Sequence, residues 1–271
     1  MRQRRRLLVG TIGVVIGAIL LFGGGVETQL TGLAMALGSA AIVTFAPRLR
    51  HWVEALGLGV PLGALLPVDD AVLPGAILLV TVLFQRFFSD RSLNGLPFRV
   101  SLTSRRSVCF DAPANEIWTR LIPGESHPED HWTGTLMDFD RDAEDADTLH
   151  LRYRNAAGLF DEVTVTFLDC TWPSHCRYYI ERSEGHFFEE SVMDIRFTEL
   201  ESGQTRIDSE LRHEPLPLRA ALARWFDDSF GDEWDSFAAS IAHRSDWSLH
   251  RLAQDGAVPR DDPKHEAKVI W

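Results

Sequence analysis

Lysine is almost missing from this chain of 271 residues, since only Lys264 and Lys268 among 27 basic side chains are lysines. An arginine-dominated composition points to a GC-rich coding sequence and so to a bacterium. Cysteine is scarce as well. Cys109, Cys170 and Cys176 contain no CxxC pair and no zinc-type spacing, so neither a disulfide framework nor a metal cluster is predicted, and reduced thiols are the simplest reading. No GxSxG, Walker loop, dinucleotide fingerprint or HExxH occurs, and nucleophilic, phosphoryl-transfer and nicotinamide chemistries therefore lack their usual signatures. No cofactor and no metal is expected.

Charge is missing from one part of the chain. Residues 1–88 hold seven arginines against four acidic residues, whereas the remainder holds 20 basic and 35 acidic residues, a net of +3 joined to a net of −15. A domain at −15 repels a phosphate backbone, which excludes a general nucleic-acid binder. A single soluble domain is excluded too, because residues 7–26 form twenty consecutive positions without a charge. That length crosses a hydrocarbon core of roughly 30 Å. A secretory signal has a similar start, but further apolar segments follow at once.

Four spans are expected, at about 7–26, 30–47, 52–68 and 71–88. The third is the weakest, with Glu54 near one end and Pro61 in its middle. Arginines mark alternate connections: four precede the first span, Arg48 and Arg50 follow the second, and Arg86, Arg91, Arg99, Arg105 and Arg106 flank the fourth. By the bias of basic residues toward the cytoplasm, both termini lie there and the protein sits in the inner membrane. Gly13 with Gly17 and Gly59 with Gly63 form GxxxG pairs, which suit close helix contact within one copy or between copies. Glycine is common in membrane helices, so neither match alone predicts a contact.

After a linker at 89–104, the periodicity changes. Val108 and Phe110 alternate with Cys109 and Asp111 as a short strand, and Ala112-Pro113-Ala114-Asn115 opens a helical stretch carrying Ile117, Trp118 and Leu121 until Pro123-Gly124 stops it. Then six segments of period two follow. Their apolar set is Met137 and Phe139; Leu149, Leu151 and Tyr153; Val163, Val165 and Phe167; Tyr178 and Ile180; Met193, Ile195 and Phe197; Ile207 and Leu211. The opposite set is polar, which describes an antiparallel sheet with one wet face. From Leu218 to Ile241 the apolar residues recur at steps of three and four, predicting one long helix that buries its stripe on the sheet. Residues 244–271 are expected to be a mobile tail.

This order of elements, with Phe110-Asp111-Ala112-Pro113-Ala114-Asn115-Glu116-Ile117-Trp118 at its start and Trp132 at the second strand, resembles the START and polyketide-cyclase (SRPBCC, helix-grip) superfamily over about residues 105–243. The resemblance implies an α+β fold in which a sheet wraps a C-terminal helix and encloses a cavity for a lipid-like, polyketide-like or other apolar molecule. The multi-span N-terminal region and the acidic insert 125–131 depart from the family pattern.

Candidate cavity residues are Tyr153, Phe167, Tyr178, Met193, Ile195, Phe197, Leu211, His213, Trp225 and Trp234. His213 and Ser209 continue the inward phase of Ile207 and Leu211, as a satisfied core histidine would, and equally as a ligand-orienting or acid/base group would. His127-Pro128-Glu129-Asp130-His131 holds metal-ligand types, but its prolines favour a solvated loop. The carboxylates Asp227, Asp228, Asp232, Glu233 and Asp235 suit the solvated side of the helix. Three functions fit: membrane-anchored binding of an apolar ligand, an enzyme acting on such a ligand through His213 or Tyr153, and an interaction module with a filled core. The expected partners are the bilayer, an apolar small molecule or lipid, and a second copy or another protein through the membrane helices.

Overall fold

The computed structural model describes residues 4–46, 49–131, 133, 135–154, 160–184 and 187–242. Pro47, Arg48, Trp132, residues 155–159 and the expected tail 244–271 lie outside the described residues. The chain divides into two compact units: residues 1–102 with 214–232, and residues 103–213 with the chain from 233 onward.

The first unit holds four helices, α1 (Arg4–Phe22), α2 (Val26–Phe45), α3 (His51–Ala64) and α4 (Leu73–Ser89). The first two are long and apolar enough to cross a membrane. The third has 14 residues and the fourth 17, so at 1.5 Å per residue they extend roughly 21 and 26 Å. Helix α1 packs on α2 and α3, and α3 on α4. Glycine makes these contacts close. A Cβ added at Gly13 would stand 1.7 Å from the carbonyl oxygen of Gly57, and one at Gly59 or Gly63 would meet the backbone of Thr81 or Ile77 at 2.6 Å. Both GxxxG pairs thus lie where helices touch backbone to backbone, which only a residue without a side chain allows.

The second unit is built on a seven-stranded sheet ordered β1-β7-β6-β5-β4-β3-β2, from β1 (Arg99–Phe110), β2 (Leu136–Arg141), β3 (Thr148–Arg154), β4 (Phe160–Thr171), β5 (His175–Glu184), β6 (Phe187–Glu199) and β7 (Thr205–Pro217). Strands β2 to β7 pair antiparallel in sequence order. Helix α5 (Ala114–Leu121) follows β1, and α6 (Leu218–Asp227) and α7 (Ser229–Ile241) follow β7. The fold is therefore α+β. Its core joins Leu149, Leu151, Val163, Val165, Ile195 and Ile207 of the sheet to Ile117 and Trp118 of α5 and to Trp234 and Phe237 of α7, all buried. The Phe237 ring meets Phe110 at 5.2 Å, and Arg120 of α5 donates to the Ser240 hydroxyl at 3.0 Å.

Several local expectations change. The first strand begins at Arg99 rather than Val108, because Arg99 to Ser104 carries too few apolar residues to show its alternation. In β2 a register irregularity between Leu136 and Asp138 turns Leu136 inward and leaves Met137 exposed. The expected single long helix is broken: Asp228 adopts the left-handed conformation at φ 49°, ending α6 before α7 starts. The apolar stripe continues across the break, so periodicity alone could not show it.

Cys170 and Cys176, expected as reduced thiols, are directly paired across the β4–β5 hairpin and joined as a disulfide with a Cα separation of 4.1 Å. Only the strand register brings them together. Cys109 is free and exposed. Disulfides persist in oxidising compartments, whereas the arginine pattern predicts a cytoplasmic location for this unit, so the state of the bond bears directly on the expected topology. Maleimide labelling of the denatured chain should modify Cys109 alone before reduction and all three cysteines after it. Three labelled cysteines without reduction would restore the reduced-thiol reading.

Candidate ligand site on the inner face of the sheet

Strand register sorts the inward side chains into rows. Phe167, Tyr178, Met193 and Leu211 form one row, and Val165, Ile180, Ser191 and His213 the next; Arg182 and Glu189 pair beyond that. Polarity rises from row to row. At the apolar end Ile195 is fully buried and Phe197 packs on Trp118 with ring centroids 5.2 Å apart. At the other end stand two phenols, a serine, a histidine and a carboxylate.

Tyr178 is buried and its ring meets Phe167 edge-on at 5.9 Å. Tyr153 is half-buried on β3 beside Leu136 and faces His131 at 6.2 Å. Burial pushes both phenols up, Tyr153 to about 12, with Glu233 of α7 adding to the rise in each case. Both remain protonated at neutral pH and act as hydrogen-bond donors. Neither hydroxyl makes a hydrogen bond to another described residue, so both donors are open to a bound molecule or water.

His213 is 8% exposed, and its Nδ1 stands 3.0 Å from the Glu189 carboxylate without making a hydrogen bond to it. Ser191 is buried directly opposite His213 on the neighbouring strand. Ser209 is also buried but donates to the Arg106 carbonyl at 3.3 Å, a structural use. Glu189 and Ser191 were missed at the sequence level, although the signal was present: two more steps of the Met193–Ile195–Phe197 alternation reach both. Histidine 131 is likewise buried, and desolvation lowers its imidazole to about 4, so the ring is neutral at pH 7. Its Nδ1 accepts from the Thr133 hydroxyl at 2.9 Å. His127 of the same insert is exposed. Among the described residues, no three His, Cys, Asp or Glu side chains gather as a metal site would require.

The structure brings together Tyr153, Phe167, Tyr178, Met193, Leu211 and His213 on one face, with Trp234 of α7 buried against Phe237 at 5.6 Å. Trp225 belongs to the first unit, is 39% exposed, and lies under the Arg5 guanidinium at 5.3 Å. The break at Asp228 explains the difference, since it removes the rigid phase relation between Trp225 and Trp234.

No family model and no curated protein matches the chain. Solved structures with a similar backbone include a conserved protein from Geobacillus kaustophilus, 15% identical with a TM-score of 0.41 over 52% of this chain and 96% of that one. A START superfamily protein from Mycobacterium smegmatis is 13% identical with a TM-score of 0.39, over 52% of this chain and 97% of its own. Ara h 8.0201 is 9% identical with a TM-score of 0.42, over 54% and 100%.

Proposed function

We propose that residues 105–243 act as a helix-grip domain that binds an apolar, lipid-like or polyketide-like molecule against the inner face of the sheet. The four N-terminal helices would anchor that domain in a bacterial inner membrane, with both termini cytoplasmic. The observation that carries the binding reading is the pair of phenols, Tyr153 and Tyr178, which share the inner face with Phe167, Met193 and Leu211 and whose hydroxyls make no hydrogen bond to another described residue. A hydrocarbon body would lie on Phe167, Met193, Ile180 and Leu211, and a hydroxyl or carbonyl group would meet the phenols. The bilayer is then both anchor and source of ligand, and the membrane helices are the surface through which copies or other proteins associate.

A second reading rests on Glu189. A carboxylate 3.0 Å from the Nδ1 of a buried histidine sets two acid/base groups side by side on the inner face. Catalysis on the bound molecule would then use His213 as acid or base.

Purification of the full chain with its bound small molecules, followed by mass spectrometry, tests both. Tyr153→Phe and Tyr178→Phe should each reduce the copurifying amount about fivefold, the equivalent of one hydrogen bond near 1 kcal/mol, with unfolding midpoints unchanged. Equal bound content in all variants would leave the interior as a filled core. His213→Gln should leave binding intact and change the chemical form of the bound molecule only if the second reading holds.

A further inference from the structure

Charged side chains of α1, of α3 with Arg50 just before it, and of α6 form a continuous ion-pair chain, buried at its centre, inside the first unit. Arg6 has no exposure. Its Nε lies 2.7 Å from Glu54 Oε2, its Nη2 3.1 Å from Oε1, and its Nη1 2.7 Å from Asp227 Oδ1. Arg50 approaches Asp227 with Nε at 3.0 Å and Nη2 at 3.3 Å, and His51 Nδ1 stands 2.8 Å from Glu54. Arg5 donates to the Trp225 carbonyl at 3.1 Å and reaches Asp228 at 3.5 Å. The opposite end of α6 is tied by Arg219, which donates to the Phe88 carbonyl at 3.0 Å and to Asn94 at 2.7 Å, while Phe226 packs edge-on against Phe88 at 5.5 Å.

The pairing is asymmetric. Glu54 is fully buried and is held by Arg6 and His51 without any help from α6. Asp227 and Arg50 are partly exposed, with 16% and 31% of their side chains open. If α6 lifts away, Arg6 keeps Glu54, while Asp227 and Arg50 return to water. Both the docked and the undocked arrangement therefore leave the buried charges compensated, which is the requirement for a reversible switch and is not met by a buried pair that parts completely. Directly after Asp227 the chain turns through the left-handed Asp228, and α7 begins as a separate helix.

We propose that Arg6, Arg50 and Asp227, supported by Glu54, form an ionic latch that docks α6 on the N-terminal helices, and that α6 can leave as a unit by opening at Asp228. The inference does not depend on the ligand-binding reading.

Limited trypsinolysis of the full chain tests it, because Arg219 and Arg224 lie within α6. Asp227→Ala should speed cleavage after these two residues at least tenfold, whereas Asp227→Glu, which keeps the charge, should stay within threefold of the parent chain. Cleavage after Arg152 and Arg206 in the strands serves as the control and should not change. Unaltered cleavage of α6 in Asp227→Ala would overturn the latch. Acceleration at all four sites in step would overturn it equally, since α6 would then open only with the whole fold.

Discussion

Arg6→Met should lower the stability of the full chain by roughly 3–5 kcal/mol, the usual cost of leaving one member of a buried ion pair without its partner. Arg6 and Glu54 both have 0% side-chain exposure, and after the substitution Glu54 retains only His51. Asp227 suffers less because Arg50 remains beside it. Burial alone would push the Asp227 carboxyl up, but Arg6 and Arg50 together hold it below its ordinary value. Converting Arg6 and Glu54 together to Met should recover most of the loss, since apolar replacements of similar size avoid the desolvation cost that the charges carry. Thermal unfolding of the single and double variants, analysed as a double-mutant cycle, measures the coupling. A loss below about 1 kcal/mol in Arg6→Met would show the pair to be solvated, as surface pairs are.

Trp234→Ala should cost a similar amount, roughly 3–5 kcal/mol, as a large buried aromatic truncated in a packed interior. Its ring is 5% exposed and stacks edge-on with Phe237, which is 1% exposed and continues the contact to Phe110. Trp225→Ala should cost only about 1 kcal/mol, because the exposed ring loses chiefly its contact with the Arg5 guanidinium. Denaturant midpoints of the two variants give the comparison. Equal losses would mean that the stripe acts as one continuous helix despite the turn at Asp228.

The elements most legible in the sequence were those with a strong local period. Uncharged runs marked the helices beginning at Arg4 and Val26, and alternation marked β3 to β7, because burial on one side leaves a repeated polarity that survives in the chain itself. The inward placement of Tyr153, Tyr178 and His213 followed from the same alternation. β1 was read short because its residues from Leu102 to Arg106 are only half-buried or exposed, and half-burial places little constraint on polarity. Met137 was assigned inward because a bulge shifts the phase of a strand without altering composition.

What the sequence determined by itself, then, was the contrast between an apolar, arginine-flanked stretch and an acidic stretch of strands and helix, together with the face on which most strand residues lie. These are consequences of transfer free energy acting on neighbours, and they are written locally. Tertiary structure alone decided the pairings between distant residues. It brought Arg6 to Asp227, Glu189 to His213 and the backbone of Gly13 to that of Gly57. It also decided that the C-terminal stripe breaks at Asp228. Contacts of this kind depend on register, crossing geometry and the compensation of buried charge, which involve residues far apart in the chain and leave no period along it.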